Sequence, residues 1–135
     1  MTKILLAVLL AGLSAQLLKV FIFWMKHKDL AWHDLIVSGG MPSSHSAFVV
    51  SLATIVYLME GASTSFAVSL VLAFIVLRDA FGVRRSVGEE GLVINQIVKK
   101  LKLPVKKHFA MGHTPLQVFF GSLLGLIVAV VVYLV

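Results

Sequence analysis

Residues 39–47 read Gly-Gly-Met-Pro-Ser-Ser-His-Ser-Ala and open a long apolar run. Pro42 suits the first turn of a helix, where the N–H it lacks would have no intrahelical partner anyway. The glycines ahead of it let the backbone turn tightly. A helix starting here presents free N–H groups and the positive end of its dipole. Ser43 and Ser44 add hydroxyl donors, and His45 adds a titratable proton. Such a group can bind phosphate and donate a proton at a membrane surface. The plainer reading is a capped helix with an interfacial histidine.

A second histidine meets a second helix start. His113 follows Gly112 and precedes Thr114-Pro115, a natural N-cap and first helical residue. Gln117 lies one turn further on, within reach of the imidazole. Taken alone, His113 also fits a capping role. Taken with His45, the two can flank one phosphoryl group, one imidazole attacking phosphorus and the other protonating the leaving oxygen. Cations would then hold the equatorial oxygens.

Several cations are placed for that role. Gln16, Lys19 and Lys26 share a helical face with Gly12 and Phe23. A lysine at the bilayer centre costs roughly 2.5–3.5 kcal/mol, and less nearer the edge. Lys19 either snorkels to the boundary or turns inward onto an anion, and the aligned Gln16 favours the second. Arg84 and Arg85, in the stretch Arg-Asp-Ala-Phe-Gly-Val-Arg-Arg, can fork onto phosphate oxygens or serve as a membrane anchor. Asp79 can orient a histidine or pair with an arginine. Asp79, Glu89 and Glu90 match no metal-loop spacing, and no metal is expected.

The elements that must position these residues are membrane helices. The chain has 135 residues, 59% of them hydrophobic and 13% charged, against about 25% charged in a soluble domain. The fold class is therefore an all-α integral membrane bundle in a single domain, 1–135. Four spans are expected, at about 4–25, 42–59, 63–77 and 115–135. Between the third and fourth, Val87 to Leu101 is amphipathic, with Val87, Gly91, Ile94, Val98 and Leu101 on one face. It reads as an interfacial or re-entrant helix. Gly121, Gly125 and Ala129 form a small-residue stripe suited to close helix packing. The absence of cysteine rules out disulfides and thiolate chemistry.

The formal charge of +6 is concentrated between Arg78 and Lys107. In a membrane protein this sets topology and attracts anionic lipid headgroups; nucleic acid is not the expected partner. With four spans, the loop before Pro42 and residues 78–113 share one side, which the positive-inside rule makes cytoplasmic. Both termini then face outward, on a multi-pass protein of the cell membrane.

These residues resemble the type 2 phosphatidic acid phosphatase superfamily, which includes the vanadium haloperoxidases. That family shows Lys-x6-Arg-Pro, Pro-Ser-Gly-His and Ser-Arg-x5-His-x3-Asp. Here Lys19 to Lys26 gives Lys-x6-Lys, and Pro42-Ser43-Ser44-His45 matches the second motif with Ser for Gly. Lys106-Lys107-x5-His113-x3-Gln117 echoes the third, with Lys for Arg and Gln for Asp. The combination with DAFGVRR and GHTPLQVFFG resembles the small divergent branch, over nearly the whole chain. The resemblance implies a lipid phosphate or prenyl diphosphate phosphatase that uses no cofactor. His113 would be the nucleophile that forms a phosphohistidine, and His45 the general acid. Lys19, Lys26 and Ser44 would bind phosphate, with Lys107 at the motif arginine position or Arg84 or Arg85 in its place. Gln117 stands where the family has the orienting Asp, a role Asp79 could take over. The family's six-helix core is reduced here to about four spans, which a homodimer could complete. Two rival readings keep parts of this picture: a non-catalytic lipid-phosphate binder or transporter, and a small scaffold protein packing through Gly121 and Gly125.

Overall fold

The computed structural model describes residues 2–27, 40–103 and 112–135, the side chains of Lys26 and His27 excepted. Among them the chain forms five helices: α1 (Thr2–His27), α2 (Ser44–Glu60), α3 (Thr64–Phe81), α4 (Val83–Lys100) and α5 (Pro115–Leu134). The fold is an all-α membrane bundle. Three stretches, Thr2–Met25, the run Thr64–Lys100 that begins with α3, and Pro115–Leu134, are long and apolar enough to cross a membrane. α2 is apolar but shorter, at 17 residues, about 25 Å at 1.5 Å per residue. It is also the most enclosed helix, packed on α1, α3 and α5.

Local chemistry explains the ends. The Ser43 hydroxyl accepts the Ser46 N–H at 3.4 Å, so α2 begins at Ser44 rather than at Pro42. Thr114 closes a capping box with Gln117 at the start of α5, with Pro115 in its first turn. α3 ends where the Arg78 carbonyl takes the Gly82 N–H at 2.9 Å. One residue later α4 starts, four residues before the amphipathic stretch read from the sequence. α4 packs on no helix but α3 among the described residues. It leaves Val83, Val87, Ile94, Ile97 and Leu101 exposed and tucks in Gly88 and Gly91. The inner face is thus the small-residue edge of the predicted stripe, and its branched residues face outward, as an interfacial helix requires.

The small-residue stripes set the packing. A Cβ at Gly121 would collide with the Ser43 carbonyl oxygen, and one at Gly125 with that of Ala47. Since both pairs advance by four residues in the same sense, α2 and α5 run parallel, with their N-termini side by side. α1 runs the other way, its Lys3 ammonium donating to the Tyr133 carbonyl at the C-terminal end of α5 (3.4 Å). Ala7, Ala11 and Ala15 of α1 are fully buried and join Ala47, Ile55 and Ala129 in two core clusters. That alanine stripe has the same four-residue spacing as the glycines and was equally legible, though the sequence reading passed over it. Gly121→Val should cost about 1–3 kcal/mol, as overpacking does, because the obstacle is backbone that cannot rotate away. Thermal unfolding of the detergent-purified protein checks this; a variant as stable as the wild type would refute the close approach.

Candidate active site at two helix N-termini

The parallel crossing of α2 and α5 brings both histidines to one end of the bundle. His45 lies in the first turn of α2, and His113 lies one residue before the α5 cap. The Ser43 N–H donates to the Gln117 carbonyl at 3.1 Å, and the His113 N–H donates to the Ala80 carbonyl at the end of α3 at 3.0 Å. Three helix ends are thereby stitched around His113, which is buried. Gly112 completes the fixing. A Cβ there would run into the backbone of Arg84 and Arg85, so only glycine lets this strand of chain lie against the start of α4.

The side chain of Gln117 decides the state of the imidazole. Its Oε1 accepts the Thr114 N–H at 3.0 Å, which orients the amide with oxygen toward the helix start. The same oxygen lies 3.3 Å from His113 Nδ1. An amide oxygen only accepts, so Nδ1 carries the proton and Nε2 keeps its lone pair. Burial holds the His113 pKa below the ordinary histidine value. The Gln117 hydrogen bond opposes this, while the positive fields of Lys19, His45 and Arg84 add to the lowering. At neutral pH His113 is therefore a neutral imidazole in a positive field. Two helix N-termini add to that field.

The other predicted residues fall into place unevenly. Lys19 lies along the turn before α2: a Cβ at Gly40 would sit 3.2 Å from its Cε, and Gly40 has φ +88°, a conformation that favours glycine. Asp79 accepts from Arg84 Nε at 2.9 Å, so of the two roles open to it the one observed is the pair with an arginine. Arg85 Nε donates to Glu89 at 3.0 Å. Ser43 is fully buried, and its oxygen takes the Ser46 N–H and the Ser46 hydroxyl (2.9 Å); it is a helix cap more than a phosphate ligand. Ser44 is half-buried at the first turn. The side chain of Lys26 and all of Lys107 lie outside the described residues. The sequence reading missed Ala80, Ser46 and the carbonyl of Gln117, which act through backbone or cap bonds and carry no composition signal. Gly40 and Gly112, in contrast, were visible beside the motifs.

Chemically, the arrangement offers a nucleophilic nitrogen, a second imidazole, and two cations bearing on one point. A match to the model of the Divergent PAP2 family covers residues 1–128. The chain is also 40% identical, over 145 aligned positions, to the uncharacterized membrane protein YuiD of Bacillus subtilis (strain 168), covering 94% of this chain and 91% of that protein. No solved structure matches it. With a family match that extends across both helix starts and the arginine stretch between them, this multi-pass membrane protein belongs to the Divergent PAP2 family.

Proposed function

We propose that the protein is a membrane phosphatase that hydrolyses a lipid phosphate monoester or prenyl diphosphate at the cytoplasmic leaflet. The observation that carries this reading is the Nδ1-protonated, neutral His113, buried where two parallel helix N-termini meet and lying in the positive fields of Lys19, His45 and Arg84. His113 Nε2 attacks the terminal phosphorus, and its P–O bond to the leaving group breaks as His45 gives a proton to the departing oxygen, that of an alkoxide from a monoester or of a prenyl phosphate from a diphosphate. Water then attacks the phosphohistidine, losing a proton to His45. The P–N bond breaks, and inorganic phosphate and neutral His113 result. Lys19 and Arg84, with the Ser44 hydroxyl, hold the phosphoryl oxygens, and the family resemblance adds Lys26 and Lys107, with Arg85 as the alternative to Arg84.

The second reading, a lipid-phosphate binder that does not turn over, is favoured by one observation: the partner of His113 is an amide, and the nearby carboxylate of Asp79 is engaged by Arg84. The scaffold reading has lost its surface, since Gly121 and Gly125 are covered by α2 within the same chain. Phosphate release by the purified protein from a panel of lipid phosphates, with and without EDTA, separates the first two. Release that survives EDTA supports the phosphatase, and tight binding without release supports the binder.

The cytoplasmic placement makes its own prediction. Single cysteines introduced into the cysteine-free chain at residues 95–103 should resist an impermeant thiol reagent in intact cells and react after lysis. Cysteines at either terminus should react from outside. Labelling of residues 95–103 in intact cells would reverse the orientation.

A further inference from the structure

Beneath the site, between α2, α3 and α5, lies a lateral groove of about 400 Å³. Its lining is almost wholly carbon and includes Val50, Ala53 and Tyr57 of α2 and Phe66, Ala73 and Leu77 of α3. Ala53 and Ala73 are buried, and these two small side chains leave the space. At the far end the rings of Tyr57 and Phe66 meet with centroids 4.9 Å apart. At the near end Leu77 stands one turn before Ala80, the residue whose carbonyl holds the His113 N–H. The groove therefore starts a turn below His113 and runs along α2 from Val50 to Tyr57, about 10 Å by helical rise. It lies within the spans and opens sideways past the exposed Phe74. At that depth there is no water to fill it, and hydrocarbon is the only medium available.

We propose that this groove seats one hydrocarbon chain of the lipid whose phosphate lies between His45 and His113, and that the Tyr57–Phe66 pair is the stop met by the end of that chain. The inference rests on the phosphate site proposed above and adds the seat of the chain, which descends between α2 and α3. A second chain, where the lipid has one, stays in the bilayer. Because the bilayer is as apolar as the groove, seating the chain gains packing contacts and little hydrophobic free energy. Chain length is then a weak determinant of affinity, whereas the position of the chain end is well defined.

Photolabelling reads that position directly. The full chain, reconstituted in phosphatidylcholine nanodiscs, is irradiated with dodecyl phosphate bearing a terminal diazirine, and in parallel with the matching dodecyl alcohol. The phosphate probe should label Tyr57 and Phe66 about tenfold more than the exposed Leu9 and Leu13 of α1, a preference of about 1.4 kcal/mol. The alcohol probe should lose that enrichment, because nothing anchors its head. Ala73→Phe, which fills the groove, should abolish the enrichment with the phosphate probe. Should that variant fail to fold, the comparison of the two probes on the wild-type protein decides alone. Even labelling over the lipid-facing helices, equal labelling by the alcohol, or protection of Tyr57 and Phe66 by a second copy of the chain would each overturn the proposal. Phosphate release is measured on the same samples. Enriched labelling without release upholds the groove and rejects hydrolysis, while release with scattered labelling does the reverse.

Discussion

His113→Ala is expected to abolish phosphate release, because among the described residues no other nucleophile stands at the start of α5. The residue one position on, Thr114, spends its hydroxyl on the Gln117 N–H at 3.3 Å, and the Ser43 oxygen is buried in the α2 cap. His45→Ala should leave a residual rate, lower by about 10²–10⁴-fold, the usual weight of general acid catalysis. That loss should shrink toward nothing with aryl phosphates, whose leaving groups need no proton. The contrast between the two variants is the useful measurement, made as single-turnover rates on an alkyl and an aryl phosphate. Equal losses for His45→Ala on both substrates would remove it from the acid role and leave it as a phosphate contact. Residual alkyl turnover in His113→Ala would move the nucleophile elsewhere.

Gln117→Glu is expected to have the next largest effect, and it acts through pH. The substitution keeps the reach of the side chain, so the Thr114 N–H and His113 Nδ1–H still find an oxygen, and it adds the charge that the family's Asp supplies. An opposite charge at that distance raises a histidine pKa by roughly 1–3 units. Below its pKa the imidazole carries a proton on Nε2 and cannot attack. Turnover therefore falls as pH drops through that value. In the wild type, burial and the fields of Lys19, His45 and Arg84 outweigh the Gln117 bond, which places the acid limb of kcat/KM below the ordinary histidine range. In Gln117→Glu the limb moves to higher pH. On the plateau above it the rate should hold or rise, since a carboxylate offsets the cationic phosphohistidine where an amide cannot. Asp79→Asn should shift the limb little, because Asp79 faces Arg84. The reverse pattern, a silent Gln117→Glu and a severe Asp79→Asn, would assign the charge-balancing role to Asp79.

How much of this was legible without coordinates follows from what kind of interaction each feature uses. Helix spans, the Thr114-Pro115-Gln117 cap and the Gly121–Gly125–Ala129 stripe are local patterns. They depend on residues within one or two turns, and the folded chain reproduces the helices, the cap and the stripe within a few residues, with α2 shorter than the other apolar helices. The two histidines were legible as a pair for the same reason, since each sits in a helix-start context that is itself local. The partners across helices were not legible. Whether Asp79 would turn to a histidine or to an arginine depends on how α3 meets α4 at Gly82, and the choice of Arg84 follows from that bend. The close approach of α5 to the Ser43 carbonyl was likewise a matter of tertiary packing, whereas the cap bonds of the Ser43 hydroxyl to Ser46 are local.

The sequence by itself determined that the chain is helical, membrane-embedded and equipped with two histidines at helix starts, because hydrophobic length and capping chemistry act along the chain. Only the tertiary structure decided that α2 and α5 run parallel, that their N-termini abut, and that Gln117 selects the Nδ1-protonated form of His113. Those outcomes depend on how closely two backbones can approach, which the absence of a side chain at Gly121, Gly125 and Gly112 permits but only the assembled helices make use of.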